Sequence, residues 1–398
     1  MFLQYGVSSD GQLVYINQVP RGQTGLHCPY CNGLLLAKKG AIKEYHFAHA
    51  GETCRQVSRD PNAIALPAFD KFDLSLRAKD YSALQYIRNT GFAPNGYTGV
   101  WLEEKGLAQF NRYSRGGKGQ WELTNIGKIP FGDLSLSLFN DYQEARFAER
   151  HTEIEQAAQL AYSQHRADFD TLLTDLKLYR AQWRRVLSTS LYFLHIQSPS
   201  LPDLYKIGVT TRAIRDRVAE VKGDLLPLIG QVDITVLETW DHRGNVELYF
   251  KHRYSPQQHP LAPFTEYFIF PDVKPILRDL RRMKPKEFTP LEREVLDGLP
   301  TAIERQIAEE NTLRITLEKR RARRQAIAQG MQVAREQGKH VGRPAGKETD
   351  EEFFSKPSIA AVIRALDAGL SQRQAAKEAG VSLNTVIRVV QRRKQAQG

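Results

Sequence analysis

Apolar and aromatic residues crowd two short runs in the middle of the chain. These are Leu191-Tyr192-Phe193-Leu194-His195-Ile196 and Leu204-Tyr205-Lys206-Ile207-Gly208-Val209-Thr210, joined by a loop rich in Pro, Ser and Asp. Aromatic and β-branched runs bounded by turn formers predict a β-hairpin. Arg212 to Val221 follows with helical spacing and three arginines, and Val232 to Trp240 predicts a third strand. Upstream the pattern changes. Asn140 to Val186 lacks Pro and Gly and is rich in Ala, Gln, Glu, Arg and Leu, which predicts one long helix or a helical hairpin. Tyr81–Thr90 and Gly99–Phe110 predict helices, and Arg112 to Thr124 a hairpin with a Gly-rich basic tip. Pro300 to Gln337 predicts another long helix, with Ile303, Ile307, Leu313 and Leu317 on one side.

At 398 residues the chain is long enough for two to four domains. Its formal charge of +11 points to an anionic partner. Residues 301–347 concentrate that charge, with eleven Lys/Arg against five acids, a net of +6. No apolar stretch approaches the roughly 20 residues that cross a bilayer, so no membrane partner is expected. Met1 to Asn17 carries no basic segment followed by an apolar block. A cytoplasmic nucleic-acid protein is the expectation.

The three cysteines, Cys28, Cys31 and Cys54, all precede residue 55, and an odd number argues against a disulfide framework. Cys28-Pro29-Tyr30-Cys31 is a knuckle whose two thiolates can grip one ion, and His46-Phe47-Ala48-His49 and Cys54 follow. That makes five candidates for the usual four positions of structural Zn²⁺. Cys28, Cys31, His49 and Cys54 are the expected ligands, because His49 and Cys54 form a compact second knuckle; His46 is the alternate. The segment from Leu13 to Cys54 resembles the N-terminal domain of competence CoiA-like proteins.

The central runs, together with Arg212 to Val218, Asn245-Val246-Glu247 and Phe264-Thr265-Glu266-Tyr267-Phe268, resemble the GIY-YIG nuclease family. The likeness is to its branch with a Tyr-x-Ile-Gly second motif and a final Glu-aromatic-Phe. It covers about eighty residues of the chain. The resemblance implies an α/β core with a small antiparallel sheet and an endonuclease that hydrolyses DNA phosphodiesters with Mg²⁺ or Mn²⁺. It also implies roles. Tyr192 and Tyr205 would deprotonate or orient the attacking water, Arg217 would contact the scissile phosphate, and Glu247 would hold the metal. A phenol with a pKa near 10 needs a neighbouring cation to act as a base. The chain departs from the family pattern in three ways. Ser190-Leu191 stands where Gly-Ile is usual, Lys206 intervenes between Tyr205 and Ile207, and Arg217 lies one residue late, so that Arg212 or Arg215 could share its role.

Residues 330–344 resemble the linker of serine recombinases, which leads into a helix-turn-helix. Ser371-Gln372-Arg373-Gln374 supplies a capping box, and Ala376, Gly380 and Val386 take the small, turn and buried positions of that motif. Arg373, Leu383, Asn384, Thr385 and Arg388 are then expected at double-stranded DNA, with Arg343 in an adjacent minor groove. The two helices and hairpin before residue 135, ending in Leu123-Thr124-x-x-Gly127-Lys128, are similar to a winged helix.

The expected architecture is therefore multidomain α+β. It comprises a zinc-binding domain (1–60), a winged helix (68–135), a helical connector (140–187), a GIY-YIG core (188–285), a basic helical linker with its arm (300–345) and a helix-turn-helix (355–395). The spacing in the connector permits a homodimer interface. The rival expectation is a sequence-specific DNA-binding regulator with a degenerate nuclease core.

Overall fold

The computed structural model describes residues 3–40, 44–58, 64–67, 78–94, 100–259, 261, 264, 266–339 and 348–396. Five short strands open the chain: β1 (Tyr5–Val7), β2 (Leu13–Tyr15), β3 (Gly22–His27), β4 (Leu34–Lys38) and β5 (His46–His49). They form an antiparallel sheet in the order β2-β1-β3-β4-β5. Leu26, Leu35, Ala37 and Phe47 are buried on one face of it together with Cys28. A single turn, α1 (Arg55–Ser58), follows.

The next segment contains α2 (Ala78–Thr90), α3 (Val100–Glu104), β6 (Ala108–Asn111), β7 (Gln120–Leu123) and α4 (Asn125–Lys128). The helix expected over Gly99–Phe110 is corrected here. It stops at Glu104, Gly106 takes φ +66°, and Ala108 onward pairs with β7 as a strand. The left-handed turn at Gly106 suits glycine and breaks the helical periodicity that Leu102 and Leu107 suggest. Thr124 caps α4 by accepting from the Gly127 N–H.

The stretch without Pro or Gly folds as a helical hairpin, α5 (Leu136–Ser163) and α6 (Phe169–Leu187). Phe147, Ile154, Tyr179 and Trp183 pack between the two helices. The chain then makes β8 (Ser190–Ser198), β9 (Leu201–Thr210), α7 (Ile214–Ile229), β10 (Asp233–Trp240), α8 (Val246–Arg253) and β11 (Tyr267–Phe268). Their antiparallel sheet runs β10-β8-β9-β11. Both faces are covered, so β8 reads as a nearly continuous apolar run rather than an alternating one. On one face Tyr192, Leu194 and Tyr267 meet Val221 and Leu225 of α7. On the other, Leu191, Phe193, Tyr205 and Phe268 meet Val246 and Phe250 of α8. Two short helices follow, α9 (Lys274–Arg281) and α10 (Pro290–Asp297).

The 35-residue α11 (Ala302–Glu336) follows. Only the start of the apolar side expected on it is covered. Ile303 is buried and Ile307 joins the helical-hairpin core, but Leu313 is 61% and Leu317 44% exposed. Residues up to Ile307 belong to one compact unit, and Ala308 to Gly398 to a second. The second contains α12 (Asp350–Phe354), α13 (Pro357–Asp367), α14 (Gln372–Glu378) and α15 (Leu383–Ala396), packed around Phe353, Val362, Ala375, Val386 and Val389. The whole is a mixed α+β chain with small antiparallel sheets. Among the described residues, no helix is long and apolar enough to cross a membrane.

Candidate active site and metal centre

Strand parity decides which side chains meet on the central sheet. Tyr192 faces Gly208 across the β8–β9 pair, and a Cβ at Gly208 would stand 2.3 Å from the Tyr192 hydroxyl oxygen. Glycine therefore lets the phenol lie across the neighbouring strand. There the Arg217 Nε, on the first turns of α7, donates to the Tyr192 hydroxyl at 3.1 Å. Arg217 also donates to Glu220 one turn on, at 2.6 Å, and Arg212 donates to the same carboxylate. Arg215 is 88% exposed and, among the described residues, pairs with its neighbour Asp216. Of the three candidate arginines, Arg217 is the one joined to the tyrosine.

Tyr205 is a correction. It is paired with His195, an odd number of residues from Gly208, so it projects from the opposite face into the aromatic core. It stacks on His195 at 5.0 Å and packs against Phe193 and Phe270. Two residues before Gly208, on the Tyr192 face, is Lys206. Its buried ammonium lies over the Tyr267 ring at 4.7 Å and donates to Glu266 at 2.5 Å.

Glu247 enters from α8. Its carboxylate is 15% exposed and accepts from Lys251, one turn on, at 2.6 Å. Lys251 also reaches Glu266 at 3.2 Å, so one ammonium bridges two carboxylates. The site is thus a buried phenol and an arginine on one side and an alternating set of two lysines and two glutamates on the other. Lys206, Lys251 and Glu266 complete it. The sequence carried signals for these partners: Lys206 shares the parity of Gly208, and Lys251 is four residues from Glu247 on one helix.

The charges shift one another. Burial pushes the Tyr192 phenol up, Arg217 opposes this, and Glu247 and Glu266 add to the rise. The expected lowering by arginine is therefore outweighed, and the phenol stays protonated at neutral pH. Burial lowers Lys206, against the pull of Glu266. For Glu266 burial alone would raise the carboxyl, but Lys206 and Lys251 outweigh it and bring its pKa down to about 2.

The N-terminal metal centre is built by the β3–β4 turn and the end of β5. The Cys28 N–H bonds the Gly33 carbonyl, and Asn32 takes φ 58° to close the knuckle. The ligand atoms of Cys28, Cys31, His49 and Cys54 all lie within 4.8 Å of one another. Such a cluster can hold a metal such as zinc, and four N/S ligands leave no open position. His46 turns away, with Nδ1 2.7 Å from the Glu44 carbonyl oxygen. Tyr30, inside the knuckle, donates to the buried Asp175 of α6 at 2.7 Å.

In the C-terminal unit Ser371 and Gln374 cap α14 reciprocally, Gly380 takes φ +63° in the turn, and Ser382 accepts from the Thr385 N–H at the head of α15. Arg373, Leu383, Asn384 and Arg388 are exposed, with Thr385 half-buried beside them. The Arg388 guanidinium leans over Phe353 at 5.5 Å. Arg343 lies outside the described residues. No protein-family model, curated protein or solved structure matches this chain.

Proposed function

We propose that the central sheet is the core of a GIY-YIG-type, divalent-metal-dependent DNA endonuclease targeted by the C-terminal helix-turn-helix. The observation that carries it is the Arg217–Tyr192 hydrogen bond beside Glu247, a guanidinium, a phenol and a carboxylate assembled from three separate elements. Arg217 would hold a non-bridging phosphate oxygen. The Tyr192 oxygen accepts from Arg217 and keeps its own proton, which is free to orient a water for attack. That water forms the new P–O bond as the bond to the leaving sugar oxygen breaks. The water's proton passes to solvent, and Lys206, a buried ammonium with a lowered pKa, is the group on this face suited to give a proton to the leaving sugar oxygen. Glu247, with Glu266 beside it, would hold Mg²⁺ or Mn²⁺, which when bound offsets charge on the phosphoryl and leaving oxygens. Zn²⁺ at Cys28, Cys31, His49 and Cys54 is assigned a structural role.

One observation favours a second reading. Lys251 already satisfies Glu247 and Glu266, as it would in a metal-free scaffold that binds duplex DNA and regulates without cutting. Supercoiled plasmid separates the two. Nicking with Mg²⁺ that is lost in EDTA and in Glu247→Gln supports the nuclease; equal duplex binding with no nicking in any condition supports the regulator.

A further inference from the structure

A cleft of about 1210 Å³ opens beside Arg217, between the N-terminal sheet, α6 and the β9–α7 junction. Three features of its lining identify an occupant. Among the described residues its ionisable groups are strongly unbalanced: Lys39, Lys177, Arg180, Arg184, Arg185, Arg212 and Arg217 face Glu220 and Glu304 alone. Those two carboxylates are already engaged, Glu220 with Arg212 and Arg217 and Glu304 with Lys177 and the Thr301 hydroxyl. Lys39, Arg184 and Arg185 have no ion-pair partner among the described residues. The Arg185 Nε is buried and makes no hydrogen bond, while its guanidinium lies over the Tyr15 ring at 4.7 Å.

The second feature is aromatic. Tyr5, Tyr15 and Tyr45 line the N-terminal wall; Tyr45 is 47% exposed, with the Lys39 ammonium 5.4 Å from its ring. Tyr5 is buried and Arg185 covers the Tyr15 face, so the open ring is Tyr45, and cations around it suit a polyanion whose units carry flat bases. The third is size. The volume exceeds the roughly 300–1,000 Å³ of small-molecule pockets and is of a size for a few nucleotides of one strand.

We propose that this cleft binds a single-stranded polynucleotide segment and delivers its backbone to Arg217. The inference rests on the nuclease reading for its purpose, but not for its existence as a binding site. The duplex held by the helix-turn-helix would then be cut where a strand is free to enter, at a nick, flap or unpaired end.

The test uses the full chain, with unlabelled duplex in saturating amount to occupy the C-terminal unit, and fluorescence anisotropy of labelled 12-nucleotide DNA and RNA strands. Lys39→Ala and Arg184→Ala, on different elements and outside the catalytic set, should each weaken strand binding about five- to tenfold. Each should also flatten the salt dependence by about 0.7 in log–log slope, the share of one phosphate contact on a single strand. Duplex affinity and thermal melting should stay within twofold and one degree of the parent. DNA and RNA arms that respond alike make the backbone and bases the ligand, and a response in one arm alone names the sugar that is read. Strand binding within twofold of the parent in both variants, or an equal loss for strand and duplex, overturns the proposal. Lost strand binding in a protein whose parent nicks nothing leaves the cleft standing and removes the nuclease.

Discussion

The Arg217 Nε donates to the Tyr192 hydroxyl at 3.1 Å across 25 residues of sequence, while Tyr205 points to the far side of the same sheet. The two tyrosines that the sequence offers as equivalents are therefore not equivalent. Tyr192→Phe is expected to lower Mg²⁺-dependent nicking by about 10²-fold, within the range of a lost positioned proton donor, whereas Tyr205→Phe stays within threefold. The reverse order, measured as initial rates on supercoiled plasmid, would remove the phenol from the mechanism.

The arginines sort in the same way. Arg217→Ala removes the partner that fixes Tyr192 and, on the proposed mechanism, the phosphate contact, and a loss of 10²-fold or more is expected. Arg215→Ala, on a side chain 88% exposed, should change the rate less than twofold. Circular dichroism and melting curves on both variants check that the sheet persists.

At the metal centre, Cys54→Ser and His49→Ala should each lose bound zinc, read by mass spectrometry under native conditions. His46→Ala should retain one ion per chain, because its ring is turned toward the Glu44 carbonyl. Retention by His49→Ala with loss by His46→Ala would reverse the ligand assignment.

Acid should loosen the helical hairpin. Burial, reinforced by Arg180, holds the His151 pKa down at about 4, and the neutral ring nitrogen is 3.1 Å from the Arg180 guanidinium. The unfolded chain binds that proton near pH 6.5 and the folded chain only near pH 4. Stability is therefore full above pH 6.5 and falls as pH drops from 6.5 to 4, by roughly 3 kcal/mol from this one group. Urea midpoints at pH 7 and 4.5 measure the slope. His151→Gln keeps an acceptor for Arg180 and removes the titration, and should flatten that slope; an unchanged slope would assign it to other groups.

In the C-terminal unit, Asn384→Ala and Arg373→Ala should each weaken duplex binding by about 1–3 kcal/mol if they contact bases, with unaltered melting. Losses that are uniform over all duplex sequences and scale only with salt would make both of them backbone contacts.

Much of the architecture was legible in residue order. The helical hairpin, the β8–β9 pair, the caps of α14 and α15 and the four-ligand cluster all follow from periodicity, turn formers and spacing. The candidate site was only half legible, for a physical reason. A strand pair buried on both faces loses the apolar/polar alternation that reveals side-chain direction, and Tyr205 then looks as available as Tyr192. Counting from Gly208, which must be bare where the phenol crosses it, would have selected Lys206 instead. The α3 error had another origin: Gly106 turns the chain left-handed inside an apolar spacing that otherwise continues.

The hydrogen bond from Tyr30 to Asp175 spans 145 residues and ties the cysteine knuckle to the middle of α6. An ion seated in the first fifty-odd residues would thereby act as a distant keystone for the helix that carries Arg184 and Arg185. Chelation should then be felt well away from the sulfur atoms, as a slackening of the wall opposite Arg217.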